Sequence, residues 1–168
     1  MPYVPQLVGE KTYLSPLSPD DCEHMYRWHN NLGAIFLAQE PGLRSPGTAQ
    51  EFKEFIDSFK TKQWPIFMTV DSGTDQPIGW CSLWNIRPSQ RQAEVAIIIG
   101  ERDHWGQGCG SDAMRLLLDY GFNLMNLNSI ELVTGEHNTR AIRCYEKVGF
   151  KHVGRAVKGT STVTAKQT

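Results

Sequence analysis

The chain has 168 residues, of which 40% are hydrophobic and 21% charged, the make-up of one folded domain of the usual ~100 to 200 residues; disorder and low complexity are excluded. A formal net charge of -1 and a pI near 6.5 lack the basic footprint of a nucleic-acid binder. The longest apolar runs, 34 to 38 and 95 to 99, are five residues against the ~20 that span a bilayer, so no membrane partner is expected. The first ten residues contain no Lys or Arg and are broken by Pro2 and Pro5, unlike a signal peptide, and a cytoplasmic setting is expected. Cys22, Cys81, Cys109 and Cys144 form no C-x-x-C pair, and the five histidines show no ligand spacing. The cysteines read as free thiols and no metal is expected. Residues 1 to 60 hold eight acids and five Lys/Arg, a net of -3, whereas residues 61 to 168 hold ten acids and twelve Lys/Arg, a net of +2. Either the two halves face ligands of different charge, or the difference belongs to a solvated surface.

In chain order, Thr12 to Leu17 reads as a strand. Ser18-Pro19-Asp20-Asp21 then supplies a helix cap, an N1 proline and two acids at the positive end of a helix predicted to run to about His29. Thr48-x-x-Glu51 is a capping box, and Phe52, Phe55, Ile56 and Phe59 follow helical spacing behind it. Pro65 to Asp71 and Pro77 to Ile86 are strand-like, with the turn residues Ser72 to Asp75 between them, and predict a hairpin. Ala93 to Ile99 is a third strand. After Gly106-Gln107-Gly108-Cys109-Gly110, the residues Ala113, Leu116, Leu117, Tyr120 and Leu124 recur as on an amphipathic helix. Ile130 to Thr134 is a strand, and Asn138 caps a helix with Ala141, Ile142, Tyr145 and Val148 inward. Gly149 stands at its C′ position, and a last strand starts at Phe150. The order is a mixed α/β domain built around β-α-β-α.

A strand that ends in a glycine-rich turn at a helix N-terminus aims several unpaired N-H groups at one point, where the helix dipole favours an anion such as a phosphate. Glycine lets the oxygens approach the amides and permits positive φ. A P-loop is excluded, because no Lys follows the glycines. A dinucleotide-binding sheet is excluded too, since the spacing is Gly-x-Gly-x-Gly and only 58 residues follow Gly110.

The run Trp105-Gly-Gln-Gly-Cys-Gly-Ser-Asp-Ala, then Asp119-Tyr-Gly-Phe, then Glu136-His-Asn-Thr-Arg-Ala-Ile-Arg-Cys-Tyr-Glu-Lys-Val-Gly-Phe150 resembles the acetyl-CoA-binding core of the GNAT N-acetyltransferase superfamily. Arg91 to Ile99, the early Leu-Ser-Pro-Asp-Asp and Trp28-His-Asn-Asn resemble the branch of spermidine and ribosomal-protein N-terminal acetyltransferases. The resemblance spans about residues 10 to 155 of a single domain, 1 to 168, with 156 to 168 as an atypical tail. It implies a mainly antiparallel sheet with flanking helices. Two departures stand out. Trp105 replaces the superfamily's Gln or Arg before the glycines, and the closing C-terminal hairpin is short or missing.

The resemblance also implies that the strands 93 to 99 and 130 to 134 splay, admitting pantetheine beside Ile97, Ile98 and Ile99. The turn Trp105, Gly106, Gln107, Gly108, Cys109, Gly110 and Ser111 would hold the pyrophosphate, and Asn138, Arg140 and Arg143 would reach pantetheine or phosphates, unless Asn138 is only a cap and the arginines only solvated. Acetyl transfer needs a base, because an ordinary amine of pKa ~10.4 is protonated at neutral pH. Glu94, on an otherwise apolar strand, is the expected base, and a backbone N-H near Ile98 or Ile99 would stabilise the oxyanion. Tyr145 matches the family tyrosine that protonates the departing thiolate, although its inward stripe also suits a core residue; His104 is a bystander or a second base.

The acceptor is a small-molecule or peptide amine: a polyamine, a protein N-terminus or an amino-sugar antibiotic. Trp28, Phe36, Trp64, Trp80 and Trp84, with Asp20, Asp21, Glu40 and Glu51, are candidates to line its cleft. The expected activity is acetyl-CoA-dependent N-acetyl transfer by direct attack in a ternary complex. The alternative is a non-catalytic acyl-CoA-binding or regulatory module with an incomplete acceptor side. For the tail, residues 160 to 164 are rich in β-branched side chains and are expected either to fold back as a short edge strand or to pair with a second copy in a homodimer.

Overall fold

The computed structural model describes residues 3 to 31, 47 to 154 and 160 to 166. Within them the chain builds one sheet from β1 (Leu7–Val8), β2 (Thr12–Pro16), β3 (Ile66–Asp71), β4 (Pro77–Arg87), β5 (Gln92–Ile99), β6 (Ser129–Gly135), β7 (Lys151–Gly154) and β8 (Thr160–Lys166). The spatial order is β1-β2-β3-β4-β5-β6-β8-β7, and every neighbouring pair is antiparallel except β5 and β6. The helices are α1 (Cys22–His29), α2 (Ala49–Thr61), α3 (Cys109–Asp119) and α4 (Thr139–Lys147).

Local chemistry sets the ends of these elements. Ser18 and Asp21 form a reciprocal capping box around the 3-10 turn Pro19–Asp21 that leads into α1, and Thr48 and Glu51 do the same for α2. At the β3-β4 turn, the Asp71 carboxylate accepts from the Gly73 and Thr74 amides and the Thr74 hydroxyl. The alternation of strand side chains then gives the sheet two buried faces. On one, Tyr13, Met68, Val70 and Trp80 pack against Met25 and Trp28 of α1 and Phe52, Ile56 and Phe59 of α2. On the other, Leu14, Phe67, Cys81, Leu83 and Val95 pack against Ala113, Met114, Leu117 and Leu118 of α3.

Two expectations change and a third is narrowed. The closing hairpin, expected to be short or missing, is present and short: β7 and β8 pair antiparallel, and β7 has four residues. Residues 160 to 166 do fold back, but as an interior strand, β8, which pairs with β6 along its whole length; the edge strand is β7. This satisfies the outer edge of β6, which the compositional reading of the tail left exposed. The helix read through Leu124 stops being α-helical at Asp119 and continues as a π turn, Tyr120–Leu124. The extra residue per turn rotates Leu124 off the apolar stripe, leaving it 68% exposed.

Besides the packing of Leu14, a polar cluster joins the N-terminal hairpin to α3. Buried Asp112 accepts hydrogen bonds from the backbone N-H groups of Glu10, Lys11 and Thr12 and from the Thr12 hydroxyl. Burial alone would raise the pKa of its carboxyl, but the bonds from Lys11, Thr12 and Glu10 outweigh burial and hold it below the ordinary value. Asp112→Ala is expected to cost about 2 to 4 kcal/mol in urea unfolding, the scale of losing several charge-assisted bonds at a buried site. A depressed native pKa contributes stability above the unfolded value of ~3.9 and loses it as pH falls through the lower native value. The wild-type advantage over Asp112→Asn should therefore be full at pH 7 and shrink below about pH 4.

Candidate functional site

The one parallel pair in the sheet is brief. β5 and β6 register only at Gln92 with Ser129, Ala93 with Ile130 and Glu94 with Glu131. β4 nevertheless follows β5 as far as Ile99, and β8 follows β6 as far as Gly135. Beyond Glu94 the inner edges of β5 and β6 diverge, and their backbone groups on that side have no strand partner among the described residues. Two cavities of about 480 Å³ each open at the divergence, and both are lined by Ile97, Ile98 and Tyr145.

The first cavity lies between the end of β5, the glycine turn and α4. Its walls include Ile97, Ile98, Ile99, Trp105, Gly106, Gly108, Gly110, Ser111, Asn138, Arg140 and Arg143. Gln107 and Cys109 are the exceptions among the expected residues: the Gln107 side chain is exposed and donates back to the Asp103 carbonyl, and Cys109 is buried in α3. Only their backbone can serve the turn. Gly106 and Gly108 have φ of 75° and 89°, which any side chain would strain. Gly108 caps α3, so the first amides of the helix face outward at its positive end.

Trp105 has a structural task of its own. Its indole N-H donates to the Ile99 carbonyl at 2.7 Å, and the Arg140 guanidinium lies 3.8 Å from its ring centroid. The ring thereby fixes the glycine turn to the end of β5 and presents Arg140 to the cavity. Asn138 does cap α4, accepting from the Ala141 amide at 3.2 Å, and lines the cavity as well. Arg140, Arg143 and Lys147 give this wall its formal charge, and among the described residues no carboxylate lines it. Lys147 escaped the motif reading, as did Lys11, whose side chain reaches Gly108 from a strand turn about a hundred residues upstream. His104 also lines this cavity; its Nε2 lies 3.5 Å from Asp71.

The second cavity lies on the face covered by α1 and α2. Glu94 faces it, half-buried, with one carboxylate oxygen receiving the Asn85 side-chain N-H at 2.6 Å. Asn85 sits at φ 46° where the β4-β5 register shifts between Trp84 and Arg87. That bulge turns it toward Glu94, and a strand pattern alone does not show such a bulge. Trp64, Trp80 and Trp84 line the cavity as expected. Trp28 does not; its indole donates to Glu101. Asp21 and Glu51 are committed to their capping boxes and Asp20 is exposed, so none of the three lines it. Phe36 and Glu40 lie outside the described residues.

Tyr145 stands between the cavities, its ring edge-on to Phe150 with centroids 5.9 Å apart. Burial, with a smaller contribution from Cys144, pushes its phenol well above the ordinary value, which keeps it protonated at neutral pH. The two cavities thus offer an anion seat, a carboxylate and a neutral proton donor, with bare backbone N-H groups between them.

The sequence matches the profile of the acetyltransferase (GNAT) domain over residues 11 to 151. The chain belongs to the GNAT acetyltransferase family. The domain is accordingly an N-acetyltransferase that uses acetyl-CoA as its acetyl donor. It is 28% identical over 142 residues to the spermidine N(1)-acetyltransferase of Escherichia coli (strain K12), covering 84% of this chain and 73% of that one. It is also 36% identical over 88 residues to the uncharacterized N-acetyltransferase p20 of Bacillus licheniformis, covering 52% of this chain; the match spans about half, 49%, of that protein. The crystal structure of spermidine N-acetyltransferase from Vibrio cholerae in complex with CoA and spermine superposes with a TM-score of 0.81 at 24% identity, covering 94% of this chain and 96% of that one. This likeness establishes the GNAT fold for the chain.

Proposed function

We propose that this GNAT domain acetylates a primary amine by direct attack in a ternary complex, with acetyl-CoA in the first cavity and the amine in the second. The single observation that carries the reading is the divergence of β5 and β6, which brings a cationic cavity and a carboxylate-bearing cavity together at Ile97, Ile98 and Tyr145. The relatives that act on spermidine support an amine as acceptor; polyamine, protein N-terminus and amino sugar all satisfy that description. A homodimer remains part of the reading, because β7 leaves one sheet edge unpaired.

Acetyl-CoA supplies a thioester carbon for attack and a thiol as leaving group. The amides at the start of α3 and the side chains of Arg140, Arg143 and Lys147 hold the phosphates, since a helix N-terminus and a cationic wall both favour a polyanion. The unpaired edge of β5 holds the pantetheine amides as a missing strand would. Glu94, directly or through water, removes a proton from the ammonium so that nitrogen can bond to carbon, and Asn85 holds the carboxylate in place. A free N-H of β5 near Ile98 or Ile99 meets the charge that develops on the acetyl oxygen. Tyr145 gives its proton to the sulfur as the carbon-sulfur bond breaks.

Arg143→Ala, at an exposed position, is expected to weaken CoA binding about tenfold, equivalent to ~1.4 kcal/mol, with an unchanged melting temperature. Gly108→Val should lower both CoA affinity and melting temperature, because valine is strained at φ 89°. Calorimetric titration with CoA and a thermal melt check both, and unchanged CoA affinity in both variants would remove the phosphate seat from this turn.

Glu94→Gln should lower kcat by roughly 10 to 1,000-fold at neutral pH, with partial recovery at higher pH as the amine loses its proton unaided. Tyr145→Phe should slow thiol release and leave CoA affinity within about twofold, since only the hydroxyl is removed. Rates of thiol release between pH 6 and 9 decide the matter. Wild-type rates in both variants would reduce the site to a binding module.

A further inference from the structure

We propose, resting on the assignment of Glu94 as the base, that Arg87 and Glu131 are positioning residues that set the pH range over which this carboxylate works. The two side chains meet across β5. Arg87, at the end of β4, registers with Gln92, and Glu131 of β6 registers with Glu94. Registered residues share a face, and Gln92 and Glu94 alternate onto the same one, so all four stand on the face that carries the second cavity. The Arg87 Nη2 lies 3.8 Å from a Glu131 carboxylate oxygen, and the path from β4 to β6 crosses β5 between Gln92 and Glu94. The Arg87 Nε is enclosed although the side chain is 38% exposed, so its stem lies along the sheet instead of extending into water.

Glu94 therefore stands beside both members of the pair: the Glu131 backbone is one strand spacing away, about 4.8 Å, and the Arg87 side chain passes between. From β4, Glu94 also receives the Asn85 side-chain N-H, a neutral donor. From α1, the end of α2 and α4, the cavity wall takes His29, Lys62 and Tyr145, and the Lys62 ammonium is held over the Trp64 ring. A positive neighbour favours the ionised form of a carboxylate and a negative neighbour disfavours it. Arg87 and Glu131 act in opposite senses, and together they offset each other. A base must be ionised to take the ammonium proton and basic enough to hold it. A lone cation at this place would weaken Glu94 as a base, and a lone carboxylate would keep it protonated further up the pH scale. A half-exposed ion pair of this length adds little to stability, so its consequence is the balance of charge it sets beside the base.

The experiment follows the Glu94 carboxyl by carbon-13 NMR in the full chain, labelled at the glutamate side-chain carboxyls, between pH 3.5 and 7.5. The signal is assigned by its loss in Glu94→Gln. Glu131→Gln leaves Arg87 unopposed and should move the Glu94 titration midpoint down by about half a pH unit, the scale of one nearby charge in a partly solvated site. Arg87→Gln leaves Glu131 unopposed and should move it up by a similar amount. The double variant should return to within about 0.2 unit of wild type, because both charges are gone. A merely structural pair would move both single variants the same way and the double variant furthest. Shifts of one sign, or no shift in either single variant, overturn the inference. Thiol release from acetyl-CoA, measured with the fastest of spermidine, phenethylamine and kanamycin, carries the test to the reaction. The acid side of the kcat profile should move with the NMR midpoint in each variant, since the amine titrates identically in all of them. A profile that stays in place while the midpoint moves removes the pair from the reaction and overturns the inference. Wild-type rates in Glu94→Gln overturn the base reading, and this inference with it.

Discussion

The site depends on two strands that part after three paired residues. β5 and β6 can diverge at modest cost because each is already paired along its other edge, β5 with β4 as far as Ile99 and β6 with β8 as far as Gly135. Only the inner backbone groups lose partners, and they lose them where water or an extended ligand can take their place. This explains why the position of β8 matters to a site it does not touch. Were the tail frayed, β6 would be unpaired on both edges beyond Glu131, and the gap would have no firm second wall. Trp105 secures the other side by bonding the Ile99 carbonyl and fixing the glycine turn against the end of β5.

The divergence also separates two chemical environments that must meet without mixing. Arg140, Arg143 and Lys147 make the wall of the first cavity cationic, with no carboxylate among its described lining residues; Glu94 supplies a carboxylate to the second. Tyr145 touches both, and burial keeps its phenol neutral, as a proton donor at the junction requires. Asp112 belongs to the same design from below, since its bonds to Glu10, Lys11 and Thr12 tie the helix behind the glycine turn to the N-terminal hairpin. The asymmetry of -3 and +2 between the two parts of the chain is therefore half informative. The cations of the second part do line one cavity, but Asp21 and Glu51 are spent on helix caps and Asp20 faces solvent.

What could be read from sequence follows from which interactions are local. The cap at Ser18, the capping box at Thr48, the positive-φ glycines of the turn and the cap at Asn138 each depend on a few adjacent residues and were legible as such. Resemblance to the GNAT superfamily added Glu94 and Tyr145, and the structure places each against a cavity. The rest depends on non-local pairing. Asn85 reaches Glu94 only because β4 bulges, Lys11 meets Gly108 across the fold, and the insertion of β8 between β6 and β7 is a choice of partner that β-branched composition cannot state. Leu124 was misread for a related reason: a single π turn breaks the 3.6-residue period on which its inward placement rested.

The central claim is that acetyl-CoA completes the sheet in the gap between β5 and β6. Amide hydrogen exchange with and without CoA tests it most directly, because exchange reports the backbone groups whose pairing is at issue. The account predicts that CoA slows exchange at the β5 amides that face the gap, Ile97 and Ile99, and at the turn from Gly106 to Ser111, with little change in β2 and β3. Protection that spares Ile97 and Ile99, or that is confined to the sheet's β1 edge, would contradict it.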